Sequence, residues 1–161
     1  MPSLPFFAEL ITFASAMLPV TELRGSIPLA MEVFKMPAWK AFALATAGNI
    51  VIVFFLLRFL EPISNFLRKH SKFFEKFFKK LFEKTRAKHS EKFNRYGAIF
   101  LVTFVGIPLP GTGGWTGALI AFIFGIPYWR AAYLVSLGVI IAGVLITLGF
   151  GSVMKIIEMI A

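Results

Sequence analysis

The sequence predicts an all-α integral membrane protein with two inverted repeats. Each repeat is a re-entrant helical hairpin plus a transmembrane helix, and a basic amphipathic helix joins the two. Three observations carry this. The chain is 58% hydrophobic, with a mean hydropathy of +0.79. Residues 41–57, 96–129 and 131–154 carry no charge, and uncharged stretches of roughly 18 residues or more read as membrane segments. The third observation is a duplication. Residues 34–41 (Phe-Lys-Met-Pro-Ala-Trp-Lys-Ala) return as residues 124–131 (Phe-Gly-Ile-Pro-Tyr-Trp-Arg-Ala), an offset of 90 at which Leu44 meets Leu134 and Gly48 meets Gly138. A repeated apolar unit around a polar middle marks repeat-built membrane transporters. The whole chain, 1–161, reads as one membrane domain: repeat 1 over 4–60, the linker over 62–95 and repeat 2 over 96–150.

What is missing narrows the chemistry. There is no cysteine and no aspartate, and the two histidines, His70 and His89, both fall in the linker. Disulfides and cysteine–metal sites are excluded. A metal centre or a paired-carboxylate hydrolase has little to build on, so we expect no metal, no cofactor and no enzymatic activity. The first cation is Arg24. Without a basic n-region, Ala14-Ser15-Ala16 does not read as a cleavage site, and Met1–Met36 reads as mature protein.

The elements follow in order. Leu4–Leu18 is apolar apart from Glu9 and ends at Pro19; a second short run reaches Phe34. Crossing ~30 Å of hydrocarbon takes about 20 helical residues. Both pieces fall short, so the pair predicts a hairpin that enters and leaves on one face. Ser26 is placed to cap the second half-helix, with Pro28 in its first turn. Ala38–Leu60 is long enough to span, with Trp39 and Lys40 anchoring one end, Arg58 and Glu61 the other, and Ala41, Ala45 and Asn49 forming a small-residue packing stripe. Repeat 2 follows the same plan: Tyr96–Ile107, a break at 108–114, Trp115–Ile126, and a long helix Tyr128–Phe150 with Trp129 and Arg130 at its mouth.

The charge sits in the linker. Residues 68–95 hold 11 of the 17 Lys+Arg and 3 of the 8 Glu, so +8 of the net +9 lies there. Ile63, Phe66, Phe73, Phe77 and Leu81 recur at helical spacing against Lys and Arg on the other face, which predicts a helix lying on an anionic lipid surface rather than on nucleic acid. The positive-inside rule puts this linker in the cytoplasm and both termini outside. An odd number of crossings per repeat makes the second repeat inverted relative to the first.

The candidate substrate-binding residues cluster at the hairpin breaks. Glu22 and Arg24 are ionisable residues at expected membrane depth, where charge is costly and is kept for function or for mutual pairing. Glu22 can carry a proton or bind a cation; Arg24 can hold a phosphate through its planar fork. Free N–H groups at Gly25–Ile27 and Gly111–Gly114 predict two helix ends facing an anion, which brings in Gly25, Ser26, Gly111, Thr112 and Gly113. Asn49 completes the set, with an interhelical hydrogen bond as its plainer role. Gly113 and Gly117 also have the spacing of a close-packing pair.

The segment from Pro19 through Glu22, Arg24 and Gly25 to Pro28, followed by Pro37 and by Gly48-Asn49, resembles the small multi-drug export protein family, short prokaryotic membrane proteins. The hairpin plan also resembles the wider DedA superfamily, implicated in lipid-carrier translocation. Thr112 stands where that superfamily's second acid would be, and the second hairpin has no arginine. These resemblances imply a multi-pass protein of the prokaryotic inner membrane. The leading expectation is a transporter of a small amphipathic anion such as a polyprenyl-phosphate lipid, with proton coupling as an option. The alternatives are export of cationic amphipathic drugs, with Glu22 as the binding acid, and a non-transporting membrane-organising protein. The partners are membrane lipids and the substrate, with homo-oligomerisation left open.

Overall fold

The computed structural model describes residues 4–70, 76 and 91–160. Within them every regular element is helical. The order is α1 (Leu4–Ala16), α2 (Glu22–Pro28) running into a π-helical turn (Leu29–Val33), α3 (Ala38–His70), α4 (Glu91–Gly106), α5 (Gly114–Ile123) and α6 (Tyr128–Ile160). The linker stripe at Phe73, Phe77 and Leu81 lies outside the described residues.

Several boundaries differ from the sequence reading: α4 begins at Glu91 rather than Tyr96, α5 ends at Ile123 rather than Ile126, and α6 runs past Phe150 to Ile160. The long helix does not stop at Leu60. It continues through Pro62 to His70, 33 residues in all. The change from apolar to basic composition there is therefore not a helix end. The second half-helix starts at Glu22 rather than at Ser26. Ser26 lies inside α2 and donates to the Glu22 carbonyl at 2.6 Å, and Pro28 closes α2 instead of opening it. A proline removes an intrahelical N–H and crowds the preceding turn, and the chain widens into the π-helical turn directly after it.

α3 is apolar but not enclosed. Only 28% of its most apolar window is buried, and 39% of that of α6. A core helix of a soluble protein would be mostly buried. Here Val51, Phe55 and Phe59 on α3, and Tyr133, Val144 and Leu148 on α6, are exposed, the pattern of helices that face lipid. The small-residue stripe points inward: Ala41 and Ala45 are fully buried and Asn49 nearly so.

The helices pair in a pattern that repeats at the offset of 90. α1 runs alongside and parallel to α3: Lys40 Nζ reaches Glu9 Oε1 at 2.5 Å, and Asn49 Nδ2 donates to Ala16 O at 2.9 Å. α4 runs parallel to α6 in the same way, with Gly138 against Val102 O and Val105, and Gly106 against Ile141. The matched glycines have matched work. A Cβ at Gly48 would overlap the Phe13 carbonyl of α1, and one at Gly138 would lie 2.6 Å from Val105 Cβ of α4. Lys35 and Gly125, also 90 apart, both take left-handed backbone, at φ +50 and +65. Thr46 and Ser136 share the offset too, and each has a buried hydroxyl without a partner.

The two long helices are antiparallel. A Cβ at Gly143 would lie 2.9 Å from Phe42 and from Thr46, whereas Phe54 packs edge-on against Tyr128 with ring centroids 6.2 Å apart. Trp39 and Trp129, which open these helices, are 69% and 75% exposed and so sit at opposite ends of the molecule. From Lys40 to Asn49 α3 rises about 14 Å at ~1.5 Å per residue, so the end of α1 sits roughly midway along an apolar span of ~30 Å.

Gly48→Leu and Gly138→Leu should each destabilise the fold by several kcal/mol, since backbone and Cβ atoms cannot yield as a flexible side chain can. Gly149→Leu, with nothing near its Cβ position, should stay within about 0.5 kcal/mol. Unfolding in detergent micelles measures all three, and equal stabilities would contradict this packing.

Candidate functional site at the hairpin junction

The two hairpin breaks meet. The first comprises residues 17–21. Glu22 follows with a positive φ of 42, which turns its side chain away from its own hairpin and toward the second. Thr21 Oγ1 donates to Ser15 O, and the Ser15 and Ser26 hydroxyls lie 2.9 Å apart, so the two arms of hairpin 1 are stitched close to its tip. The second break, 107–113, is knitted by Thr112. Its hydroxyl lies 2.7 Å from Ile107 O and 2.8 Å from Leu109 O, where it can donate to one, and it accepts from Leu109 N–H at 3.1 Å.

Helix α5 begins at Gly114 after an extended Gly113 and has no side-chain cap of its own. Its first N–H groups need a partner. Hairpin 1 supplies it: Trp115 N–H donates to Glu22 Oε1 at 3.4 Å. Glu22 is only 8% exposed, and its carboxylate fills the space a side chain at Gly113 would take. The favour is returned. The Trp115 indole Nε1–H donates to Met17 O at 2.9 Å, and Asn49 Nδ2 serves Ala16 O, so the carbonyl end of α1 is closed by α5 and α3.

Arg24 does not bridge to Glu22. Its Nη2 donates to Thr112 Oγ1 at 3.2 Å. The ion pairs among the described residues are Lys35–Glu32 and Lys40–Glu9, neither at the junction. Asn49 is 1% exposed, and its Oδ1 has no hydrogen-bond partner. It occupies the space above Gly114 that a Cβ would need. Glu22, Arg24 and Asn49 line one cleft with Gly113, Gly114 and Val139. The cleft volume is about 10 Å³, room for about one water.

Of the sequence candidates, Glu22, Arg24, Thr112, Gly113 and Asn49 come together. Gly25, Ser26 and Gly111 do not line the cleft. The Gly25 N–H, expected to be free, donates to Thr21 O at 2.8 Å, and a Cβ there would press on Thr21. Ser26 is buried between the arms of hairpin 1. Gly111, at φ +84, supplies the turn. Gly117, four residues after Gly113, packs α5 against Val105 and Val135. Trp115 was missed; no local pattern tells that an indole and an amide of one residue both reach across to the other hairpin.

A family model described as "Putative small multi-drug export protein" matches residues 22–145. The chain belongs to that family. The match opens on Glu22, directly after the first break, and runs through the second break into α6. No curated protein and no solved structure matches. At the junction of the two breaks, two buried polar side chains, Glu22 and Asn49, line one cleft. The DedA resemblance is not shown.

Gly113→Ala should push the Glu22 carboxylate off α5, and removing that side chain with Glu22→Ala should relieve the clash. The double mutant cycle should then be non-additive by about 1–3 kcal/mol. Additive losses would show that the two residues do not touch.

Proposed function

We propose that the protein is a proton-coupled exporter of small cationic amphipathic compounds, with Glu22 as the acid that both substrate and proton use. The observation that carries this is the state of Glu22: a residue only 8% exposed, whose carboxylate accepts one long backbone hydrogen bond and makes no salt bridge among the described residues. A buried charge without a counter-ion is costly. A proton or a cationic substrate each relieves that cost, and competition for one acid couples their movements.

The anion reading is weaker. The helix end that would hold an anion is α5, and Glu22 already occupies it. The family assignment points to drug export and lends no support to a polyprenyl-phosphate lipid. One observation remains on the anionic side: Arg24 has no carboxylate partner among the described residues.

In this reading the hairpins are re-entrant and the repeats inverted. What supports inversion is that elements paired at the offset of 90 have equivalent neighbours, while α3 and α6 run antiparallel. A two-fold axis exchanging them lies across the helices, in the membrane plane. The axis passes near Asn49 and Val139, beside the cleft. The basic linker then lies on the inner leaflet of the prokaryotic cell membrane, held by anionic lipids. A 10 Å³ cleft admits no drug, so export requires the two hairpins to part.

Glu22→Gln should abolish binding and export of a fluorescent cationic dye in membrane vesicles, and Arg24→Ala should retain binding. Loss in Arg24→Ala with retention in Glu22→Gln would reverse the assignment to an anionic substrate. Wild-type export in both would remove this site from transport.

A further inference from the structure

Asn49 Oδ1 is the orphan of the junction. Its amide Nδ2 is used by Ala16 O, which fixes the amide plane and aims Oδ1 at Gly114. The adjoining position, Gly113, is covered by the Glu22 carboxylate. Two acceptor groups thus stand side by side over consecutive glycines, in a cleft with room for about one water. Two acceptors cannot bond to each other. A buried acceptor left unmatched is destabilising, and a single proton between the two would cure it.

We propose that Asn49 is the second station of Glu22: when Glu22 takes up a proton, its carboxyl, which accepted from Trp115 N–H, turns to donate its O–H to Asn49 Oδ1, directly or through one water. In the ionised state the carboxylate accepts from Trp115 N–H and caps α5. In the neutral state that acceptor is weakened, the cap on α5 loosens, and the new bond runs to α3 instead. The proton comes from the aqueous phase and leaves the same way, so no other reactant is consumed. The junction is then a proton-operated latch between the two hairpins.

The charged surroundings are simple. Arg24, on the same short helix as Glu22, is the other charged side chain lining the cleft. α5 has no titratable residue between Gly114 and Ile123, and α4 contributes Val105 and, just beyond it, Pro108. On α3 the nearest charges, Lys40 and Arg58, are nine residues either side of Asn49, and Lys40 is engaged by Glu9 of α1; on α6 the nearest is Arg130, nine residues before Val139. The duplication explains how the pair arose. Position 139, the counterpart of Asn49, is valine, and positions 113 and 114, the counterparts of Leu23 and Arg24, are glycines. Repeat 1 supplies the side chains and repeat 2 the room.

The latch deepens the proton-coupled reading, but its test needs no substrate. With Trp39→Phe and Trp129→Phe in place, Trp115 is the remaining tryptophan and reports on the junction. Its emission in the full-length protein in lipid nanodiscs should titrate with pH. Asn49→Val, which installs the residue of the paired repeat, should lower the proton affinity about tenfold, moving the midpoint down by about one pH unit. Glu22→Gln, neutral and able to donate to Asn49, should abolish the titration and hold the emission at its low-pH value. Infrared difference spectra of the same titration should show a protonated carboxyl band that Glu22→Gln removes and Asn49→Val shifts. A titration unchanged by Asn49→Val would overturn the proposal. If Asn49→Val does not fold, a wild-type protein without a Glu22-dependent carboxyl band would overturn it equally. A working latch in a protein that exports no cationic dye would leave this inference standing and sink the transport reading instead.

Discussion

Helix ends are the constraint on which this molecule depends. A helix that stops inside an apolar protein leaves N–H or C=O groups with no water to turn to. Each hairpin here stops and restarts a helix near the middle of the long spans, so several such ends fall together. Some are satisfied within their own hairpin, and others across the junction. Glu22 serves the start of α5; the Trp115 indole and Asn49 serve the end of α1; Thr112 knits its own turn and holds Arg24. Neither hairpin is complete without the other.

The duplication gives the scaffold its regularity, and departures from it give the site its chemistry. Gly48 and Gly138 let each long helix lie against the backbone of its own hairpin, and Lys35 and Gly125 turn the chain at the same place. At the breaks the two copies diverge. Glu22 faces glycines because repeat 2 carries none of the bulk that repeat 1 has at Leu23 and Arg24. A symmetric pair of glutamates would bring two like charges into one small cleft, which is unfavourable at that depth. One acid, one arginine and an open glycine pair avoid that, and leave a single carboxyl in the cleft.

Much of this was legible in the sequence. The uncharged runs located the long helices, the prolines and glycines located the breaks, and the repeated motif tied the halves together. Glu22 and Arg24 stood out because ionisable residues in such surroundings are rarely idle. What was not legible depends on contacts distant in sequence. Ser26 has the composition of a cap, but the helix begins at Glu22, whose positive φ no propensity foretells. Gly25 looked like a free N–H donor and is bonded within its own turn. Trp115 read as an ordinary apolar residue. The switch to basic composition after Leu60 looked like a helix boundary, yet helical backbone continues to His70 because composition there follows the solvent and not the hydrogen bonds.

The contact between Glu22 and the start of α5 is the claim on which the rest turns, and amide nuclear magnetic resonance tests it directly. In the full-length protein, Glu22→Gln should move the backbone amide signal of Trp115 and of its glycine neighbours Gly113 and Gly114, while amides at the far ends of α3 and α6 stay in place. Unmoved amides at 113–115 would mean that the two hairpins do not meet through this carboxylate, and the account would fail.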